Sequence, residues 1–184
     1  GKNVLYVSLE MSEDKIAGRF DSVLSDLNNK DLKEKPLAKL KLKEVLSEIK
    51  EKSSGRLIIK EFPTGACNVN QLRAYLVQLR LHRDFVPDLL IVDYLELLRP
   101  NRQIDAEYQA QQRISEELRG LAVEQNALVW TATQTNRQAR RVNIITDAEL
   151  GDSYGKIRTV DWAISLNQTQ EEYDEGVMRV FVMK

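Results

Sequence analysis

The chain has 184 residues, enough for one sizeable hydrophobic core, with 27 basic and 28 acidic side chains. The formal net charge of −1 excludes a molecule-wide attraction to nucleic acid, so any DNA binding must come from local basic clusters. One cysteine excludes an internal disulfide and suits a reducing compartment, and one histidine excludes a histidine-based metal site. No apolar run approaches the roughly 20 residues of a membrane span, and no signal peptide is visible.

The first part of the chain predicts a strand followed by helices. Residues 4–9 form a short apolar run that ends at Glu10, and Ser12 suits the N-cap of a helix. Residues at helical spacing then give this helix one apolar face, namely Ile16, Phe20, Val23 and Leu24. Another helix is predicted to begin at Pro36, with an apolar stripe of Leu37, Leu40, Val45, Leu46 and Ile49. Its lysines are interleaved with acids, which favours a solvated face over a DNA-binding patch.

The rest of the chain alternates strands with helices. Asn68 and Gln71 predict a capping box that opens a helix with one apolar side, made of Val69, Leu72, Leu76 and Leu79. A long helix is predicted over residues 105–125. Further strands are predicted at residues 56–62, 89–92, 128–133, 160–166 and 177–183, with Trp130 and Trp162 as core residues. This order predicts an α/β fold, a mainly parallel sheet with helices on both faces, in a single domain over residues 1–184.

The run that precedes Asp93 is the central feature of the chain. Because it is short and does not alternate, it predicts a strand buried on both faces, as in a parallel sheet covered by helices. A carboxylate at the carboxyl end of such a strand lies where open α/β sheets bind ligands. In nucleotide hydrolases of the P-loop type, an Asp at this place holds Mg²⁺. The alternative is that Asp93 only caps the following turn.

Two other strands end in the same manner. Glu10 follows the first strand and Gln134 follows the fourth, so right-handed crossovers would bring both to the edge that holds Asp93. Two carboxylates and an amide in one cleft could bind Mg²⁺, polarise a water molecule and respond to a terminal phosphate. Polar residues that merely cap helices at strand ends are the alternative.

Four stretches, in order, resemble the C-terminal RecA-like ATPase domain of DnaB-family replicative helicases, and the T-even phage type most closely. VLYVSLEMSEDKIAGRFD (residues 4–21) resembles the family's strand with a glutamate, and PDLLIVDYLELL (residues 87–98) resembles the Walker B motif. WTATQTNR (residues 130–137) and DSYGKIRTVDWAISLNQT (residues 152–169) resemble the third and fourth helicase motifs. The resemblance spans nearly the whole chain and implies an enzyme that uses ATP and Mg²⁺.

The resemblance implies a role for each matching residue. Glu10 would be the general base that activates water, and Asp93 would be the Mg²⁺ ligand. Gln134 would couple the state of the γ-phosphate to the loop that follows it. Lys184 falls where the family has a basic residue that reaches into the neighbouring subunit's ATP site. The family's arginine finger would lie just beyond Lys184.

The sequence departs from the family at one essential motif. No G-x-x-x-x-G-K-[ST] is present, so the fold is expected to lack the P-loop segment that cradles the phosphates. The chain is accordingly expected to be a piece of a longer protein, and residues 1–184 alone are predicted to bind ATP poorly and to hydrolyse none.

Two groups of arginines are predicted to contact DNA. Arg99 and Arg102 lie in the loop after the Walker B strand, and Arg137, Arg140 and Arg141 lie in the loop after Gln134. No aromatic residue interleaves them, which favours sequence-independent contact with single-strand phosphates over base stacking. Solvated surface arginines are the alternative.

The resemblance implies a ring-forming, ATP-driven helicase motor that acts in DNA replication. It implies a homohexamer, single-stranded DNA, a primase and a helicase loader as partners, and the cytoplasm of a phage-infected bacterial cell as the location. Two alternatives remain open at this point: a RecA- or KaiC-like ATPase of recombination or regulation, and an inactive DNA-binding or assembly module without a P-loop.

Overall fold

A parallel sheet forms the centre of the computed structural model, which describes residues 1–135, 144–146 and 154–184. The described strands, in chain order, are β1 (Val4–Ser8), β2 (Leu57–Glu61), β3 (Leu89–Asp93), β4 (Leu128–Thr131), β5 (Ile164–Asn167) and β6 (Arg179–Val182). The first four form one parallel sheet in the order β2-β1-β3-β4, and the last two form a separate antiparallel pair. The predicted α/β fold with a mainly parallel sheet is therefore confirmed.

Helices connect the strands, as the alternating pattern predicted. The described helices are α1 (Glu13–Ser25), α2 (Asn29–Glu34), α3 (Pro36–Lys52), α4 (Val69–Arg83), α5 (Glu107–Gln125), α6 (Tyr154–Thr159) and α7 (Gln170–Asp174), with a 3-10 turn at Leu95–Leu97. Three of the helices end on residues with positive φ, namely Asp26, Asp84 and Asn126. Asn and Asp tolerate this left-handed conformation better than most residues, which suits them to end a helix.

The two faces of the sheet are covered to different extents. Leu5 and Val7 of β1 and Leu90 and Val92 of β3 are fully buried in one cluster with the apolar residues of α4 and α5. On the opposite face the Tyr6 ring packs edge-to-face against Phe20 of α1. Helices therefore cover both faces, but burial along β3 alternates. The prediction that β3 is buried on both faces holds fully for one face only, because Leu90 and Val92 are buried while Leu89 and Ile91 are half-buried.

Local sequence signals placed α4 correctly. Asn68 and Gln71 form the predicted capping box, in which each side chain accepts a hydrogen bond from the other residue's backbone N–H. The apolar side of α4 is buried as predicted. Ser12 stands at the N-cap position of α1, although its side chain makes no capping hydrogen bond.

Both tryptophans that were predicted to be core residues, Trp130 and Trp162, are exposed. Several members of the apolar faces noted for α1 and α3 are exposed as well, namely Val23, Leu24, Leu37, Leu40, Leu46 and Ile49. The α3 helix packs on α1 and α2 and buries Ala38, so its predicted stripe faces outward. Trp130 lies on β4, whose outer edge pairs with no strand among the described residues, and Trp162 precedes β5. An apolar pattern shows which face of a helix or strand is apolar, but it does not show whether another helix or strand packs against that face.

Among the described residues, each helix is too short or too polar to be a candidate membrane span.

Candidate functional site

The structure brings the ends of three strands to the same edge of the sheet. In the parallel register Ser8 lies opposite Asp93, and Val92 lies opposite Thr131. The backbone N–H of Leu9 donates a hydrogen bond of 3.0 Å to the carbonyl oxygen of Asp93. Glu10 thus leaves β1 beside the end of β3 and is exposed, and Gln134 follows β4 at the same edge. The predicted juxtaposition of the three strand ends is present, while their chemical roles stay predictions.

The carboxylate of Asp93 is held by a tyrosine on the neighbouring strand. The Tyr6 hydroxyl donates a hydrogen bond of 2.5 Å to Asp93 Oδ2. Burial raises the pKa of Tyr6 above its ordinary value, and the hydrogen bond and negative charge of Asp93 raise this pKa further. The hydroxyl therefore stays protonated at neutral pH and acts as the donor.

The oxygen ligands that Asp93 provides fit Mg²⁺ only if a nucleotide supplies further oxygen ligands. Within the described ranges no Lys or Arg forms an ion pair with Asp93, and its Oδ1 accepts no hydrogen bond. The same ranges contain no group of three or more acidic, histidine or cysteine residues that could enclose a metal ion. Mg²⁺ commonly takes one or two protein carboxylates and completes its octahedron with phosphate oxygens and water. A single available carboxylate oxygen at a ligand-binding edge matches that pattern.

Gln134 is held by residues of the turn that follows Asp93, where the Asp93–Tyr94 peptide bond is cis. Its side-chain amide donates to the Tyr94 hydroxyl at 3.0 Å, and its backbone N–H donates to Glu96 Oε1 at 3.3 Å. The same Glu96 oxygen accepts hydrogen bonds from the Thr133 hydroxyl and from Lys156 Nζ, the latter at 2.6 Å. We refer to Glu96, Thr133, Gln134 and Lys156 as the Glu96 cluster. This cluster joins the end of β4 to α6 and to the Asp93 turn.

The predicted DNA-contacting arginines are only partly described. Arg99 pairs through its backbone with Cys67, and its guanidinium lies beside Gly65. Thr64, which precedes Gly65, donates a hydrogen bond from its hydroxyl to the backbone carbonyl of Leu9. Arg99 therefore lies among the loops at the edge of the sheet where Glu10 lies. Arg102 is exposed and makes no ion pair within the described part of the chain, which leaves its charge available. Arg137, Arg140 and Arg141 lie outside the described residues.

Lys184 contacts its own chain. Its ammonium group donates to the backbone carbonyls of Ile157, Arg158 and Val160 at 3.3, 3.2 and 2.9 Å. A cation at the carboxyl end of a helix stabilises the unpaired carbonyls of its last turn, here those of α6. The inter-subunit role of Lys184 stays a prediction.

The family model described as "DnaB-like helicase C terminal domain" matches residues 1–147. The chain belongs to this family. A DnaB-like replicative helicase of Enterobacteria phage T4 is 35% identical to this DnaB-like domain over 175 residues. That alignment covers 93% of this chain and 37% of the phage protein, so the chain spans well under half of its relative's length.

Solved structures share the fold of this DnaB-like domain. One solved ATPase domain superposes with a TM-score of 0.79 at 22% identity, and the match covers all of this chain and 66% of that one. A DnaB-like replicative helicase, described together with its interactions with primase, superposes with a TM-score of 0.76 at 22% identity. The match covers all of this chain and 45% of the helicase chain. The RecA-like α/β fold expected from the sequence is thereby confirmed.

Sequence reasoning did not find three residues of the candidate site at the strand-end edge of the sheet. Tyr6 alternates with the buried residues of β1, and only the register with β3 shows that its hydroxyl reaches Asp93. Glu96 and Lys156 are 60 positions apart and form the most buried ion pair of the described residues. A charged residue inside the otherwise apolar stretch after Asp93 was the one available signal for Glu96.

Proposed function

We propose that this DnaB-like domain is the ATPase motor of a replicative DNA helicase that assembles as a ring and moves along single-stranded DNA. The observation that carries the proposal is the meeting of Glu10, Asp93 and Gln134 at one edge of the sheet, in a chain of this family. Open α/β sheets bind their ligands at this edge.

Each strand-end residue has a chemical task in ATP hydrolysis. Glu10 is exposed and can accept a proton from an attacking water, as a general base must. Asp93 would hold Mg²⁺, and the ion would supply neutralisation of charge on the phosphate oxygens. Gln134 is anchored to the Asp93 turn through Tyr94 and Glu96, so a shift of that turn would be transmitted to the residues that follow it.

The remaining assignments concern DNA and neighbouring subunits. Arg99 and Arg102, together with Arg137, Arg140 and Arg141, would contact phosphates of a strand that passes through the ring. Lys184 would reach the ATP site of the next subunit in a homohexamer. A primase and a helicase loader would be further partners, and a phage-infected bacterial cell would be the setting. Residues 1–184 would form one domain of that protein.

The proposal is tested by ATP hydrolysis in the full-length protein with and without single-stranded DNA. We expect strong stimulation by DNA in the wild type, and a rate at least about 100-fold lower in Glu10→Gln, since removal of a general base commonly costs this much. Glu44→Gln, which changes an exposed acid on α3, serves as the matched control and should keep the wild-type rate. Absence of turnover in folded, DNA-binding wild-type protein would instead indicate an inactive binding module.

Unwinding of a forked duplex separates a helicase from an ATPase of recombination or regulation. We expect the wild type to unwind the fork and Glu10→Gln to bind it without unwinding. DNA-stimulated hydrolysis without any unwinding would reject the helicase assignment while retaining the motor. Residues 1–184 alone stay predicted to bind ATP poorly, and tight binding in a calorimeter would contradict this.

A further inference from the structure

The hydrogen bond between Tyr6 and Asp93 crosses from one strand to the next along the half-buried face of the sheet. Tyr6 lies opposite Ile91 in the parallel register, two residues before Asp93. Its side chain therefore extends toward the carboxyl end of β3, where its hydroxyl lies 2.5 Å from Asp93 Oδ2. The donor thus belongs to the strand that pairs with β3 in the same sheet.

The ring of Tyr6 is fixed by α1. Phe20 packs edge-to-face against it, with ring centroids 5.8 Å apart and an interplanar angle of 89°. The α1 helix is in turn anchored by Ile16, which is 2% exposed, and by Glu13, which accepts a hydrogen bond from the backbone N–H of Glu61 on β2. A hydroxyl on a ring held in this manner has little freedom to leave Asp93.

We propose that Tyr6 is a positioning residue for the metal-binding carboxylate: it occupies Asp93 Oδ2 and leaves Oδ1 as the oxygen available to Mg²⁺. This inference rests on the proposed function, because it takes Asp93 as the Mg²⁺ ligand. Mg²⁺ requires near-ideal octahedral geometry, so a carboxylate held in one orientation binds it better than one free to rotate. Hydrogen-bonding partners of metal ligands typically contribute about 10-fold to 100-fold in metal affinity.

The contacts of the Asp93 carboxylate agree with this arrangement. Its side-chain partner is the Tyr6 hydroxyl, which donates to Oδ2. Among the described residues, no other side-chain donor contacts the Asp93 carboxylate. Removal of this one hydroxyl therefore leaves the carboxylate without a side-chain donor among the described residues.

The test measures metal binding directly, with Mn²⁺ as the probe and electron paramagnetic resonance as the readout. The full-length protein is titrated in the presence of a non-hydrolysable ATP analogue, so that no turnover is needed. We expect Tyr6→Phe to weaken Mn²⁺ binding about 10-fold, at the lower end of the range for supporting hydrogen bonds. In ATPase assays the same variant should need about 10-fold more Mg²⁺ for half-maximal rate, while kcat at saturating Mg²⁺ stays close to wild type.

The chain offers a matched control for the loss of a tyrosine hydroxyl. Tyr75 packs edge-to-face against Phe62 with the same centroid distance and angle, 5.8 Å and 89°, as Tyr6 against Phe20. In the described ranges its hydroxyl makes no hydrogen bond. Tyr75→Phe should leave both Mn²⁺ affinity and the Mg²⁺ requirement unchanged.

Two further variants make the outcomes distinct. Asp93→Asn should weaken Mn²⁺ binding more than Tyr6→Phe does, because it removes the proposed ligand itself. Unchanged binding in Asp93→Asn would overturn the metal assignment in the proposed function. Weak binding in Asp93→Asn with wild-type binding in Tyr6→Phe would overturn only the positioning role of Tyr6. Tyr6→Leu removes ring and hydroxyl together. Weakened binding in Tyr6→Leu with normal binding in Tyr6→Phe would assign the effect to ring packing and reject the inference.

Discussion

Lys156 Nζ lies 2.6 Å from Glu96 Oε1, and the two side chains are only 7% and 17% exposed. The Thr133 hydroxyl and the backbone N–H of Gln134 donate to the same carboxylate oxygen. One acidic side chain thus joins α6, the end of β4 and the turn after Asp93. Glu96 Oε2 is buried without a hydrogen-bond partner in the described part of the chain, which makes the site sensitive to the loss of any partner.

Removal of the positive charge in the Glu96 cluster should strongly destabilise the fold. Lys156→Met leaves the Glu96 carboxylate buried without its cation, and loss of one partner of a buried ion pair typically costs about 3–5 kcal/mol. Because Glu96 is not completely buried, we expect about 3 kcal/mol. Urea unfolding monitored by circular dichroism measures the change in the free energy of unfolding.

An exposed ion pair provides the comparison for that experiment. Lys52 and Glu48 lie 3.2 Å apart on α3 with 75% and 66% of their side chains exposed. Lys52→Met should change stability by less than about 1 kcal/mol, because surface pairs of this kind contribute little. Equal effects of Lys156→Met and Lys52→Met would contradict the structural importance of the Glu96 cluster.

The capping box of α4 gives a smaller, local effect. Asn68→Ala removes the side-chain oxygen that accepts from the backbone N–H of Gln71 at 3.0 Å, and loss of such a cap typically costs about 1 kcal/mol. Gln78→Ala, an amide truncation at an exposed position of the same helix, should cost less than about 0.5 kcal/mol. Thermal or urea unfolding of both variants checks the difference, and a larger loss in Gln78→Ala would reject it.

Glu13 should make the fold sensitive to acid. Its carboxylate accepts a hydrogen bond from the backbone N–H of Glu61 and a second from Lys60 Nζ, and these hold the pKa of Glu13 below its usual value of 4.5. Because the folded-state pKa is lowered, the unfolded chain takes up the proton first on acidification. The stabilisation is present above the unfolded pKa and is lost as pH falls through the folded pKa.

Unfolding of Glu13→Gln as a function of pH measures this contribution. We expect the variant to be less stable than wild type near neutral pH and to lose less stability below about pH 4.5. Lys60→Met should show an intermediate profile, because the hydrogen bond from Glu61 is retained and is the larger cause of the lowered pKa. Parallel pH profiles for wild type and Glu13→Gln would refute the assignment.

The arginines after Gln134 should determine the salt dependence of DNA binding. Arg140→Ala combined with Arg141→Ala in the full-length protein is expected to weaken single-strand binding. It should also flatten the plot of log affinity against log salt by about 0.7 for each phosphate that the protein no longer neutralises. Fluorescence anisotropy over a range of salt concentrations measures both quantities. Lys41→Ala combined with Lys43→Ala, which removes two exposed cations on α3, should leave the slope unchanged.

Signals carried by neighbouring residues predicted much of the fold. The capping box, the apolar side of α4 and the strand before Asp93 each depend on residues close together in sequence, and each was placed correctly. The shared edge of Glu10, Asp93 and Gln134 followed from the handedness of crossovers in parallel sheets. These features need no knowledge of which side chains meet across the sheet.

Features that depend on distant contacts were missed or misassigned. Trp130 is apolar and lies in a strand, yet it is 61% exposed because β4 is at the edge of the described sheet. The Tyr6–Asp93 bond requires the correct strand register, and the Lys156–Glu96 pair requires the docking of α6. A local sequence pattern specifies neither the strand register nor the docking of α6. The side-chain contacts of the candidate site therefore could not have been predicted from it.

The position of Lys184 has a consequence for assembly. Its ammonium group donates to carbonyls at the end of α6, and α6 carries Lys156 of the Glu96 cluster. If Lys184 reached the nucleotide of an adjacent subunit, its ammonium group would have to leave these carbonyls. If Lys184 acts between subunits, each docking event would uncap α6 and loosen its last turn. Contact between subunits would then form at the cost of order in α6. The affected helix carries Lys156, which pairs with the Glu96 that accepts a hydrogen bond from Gln134.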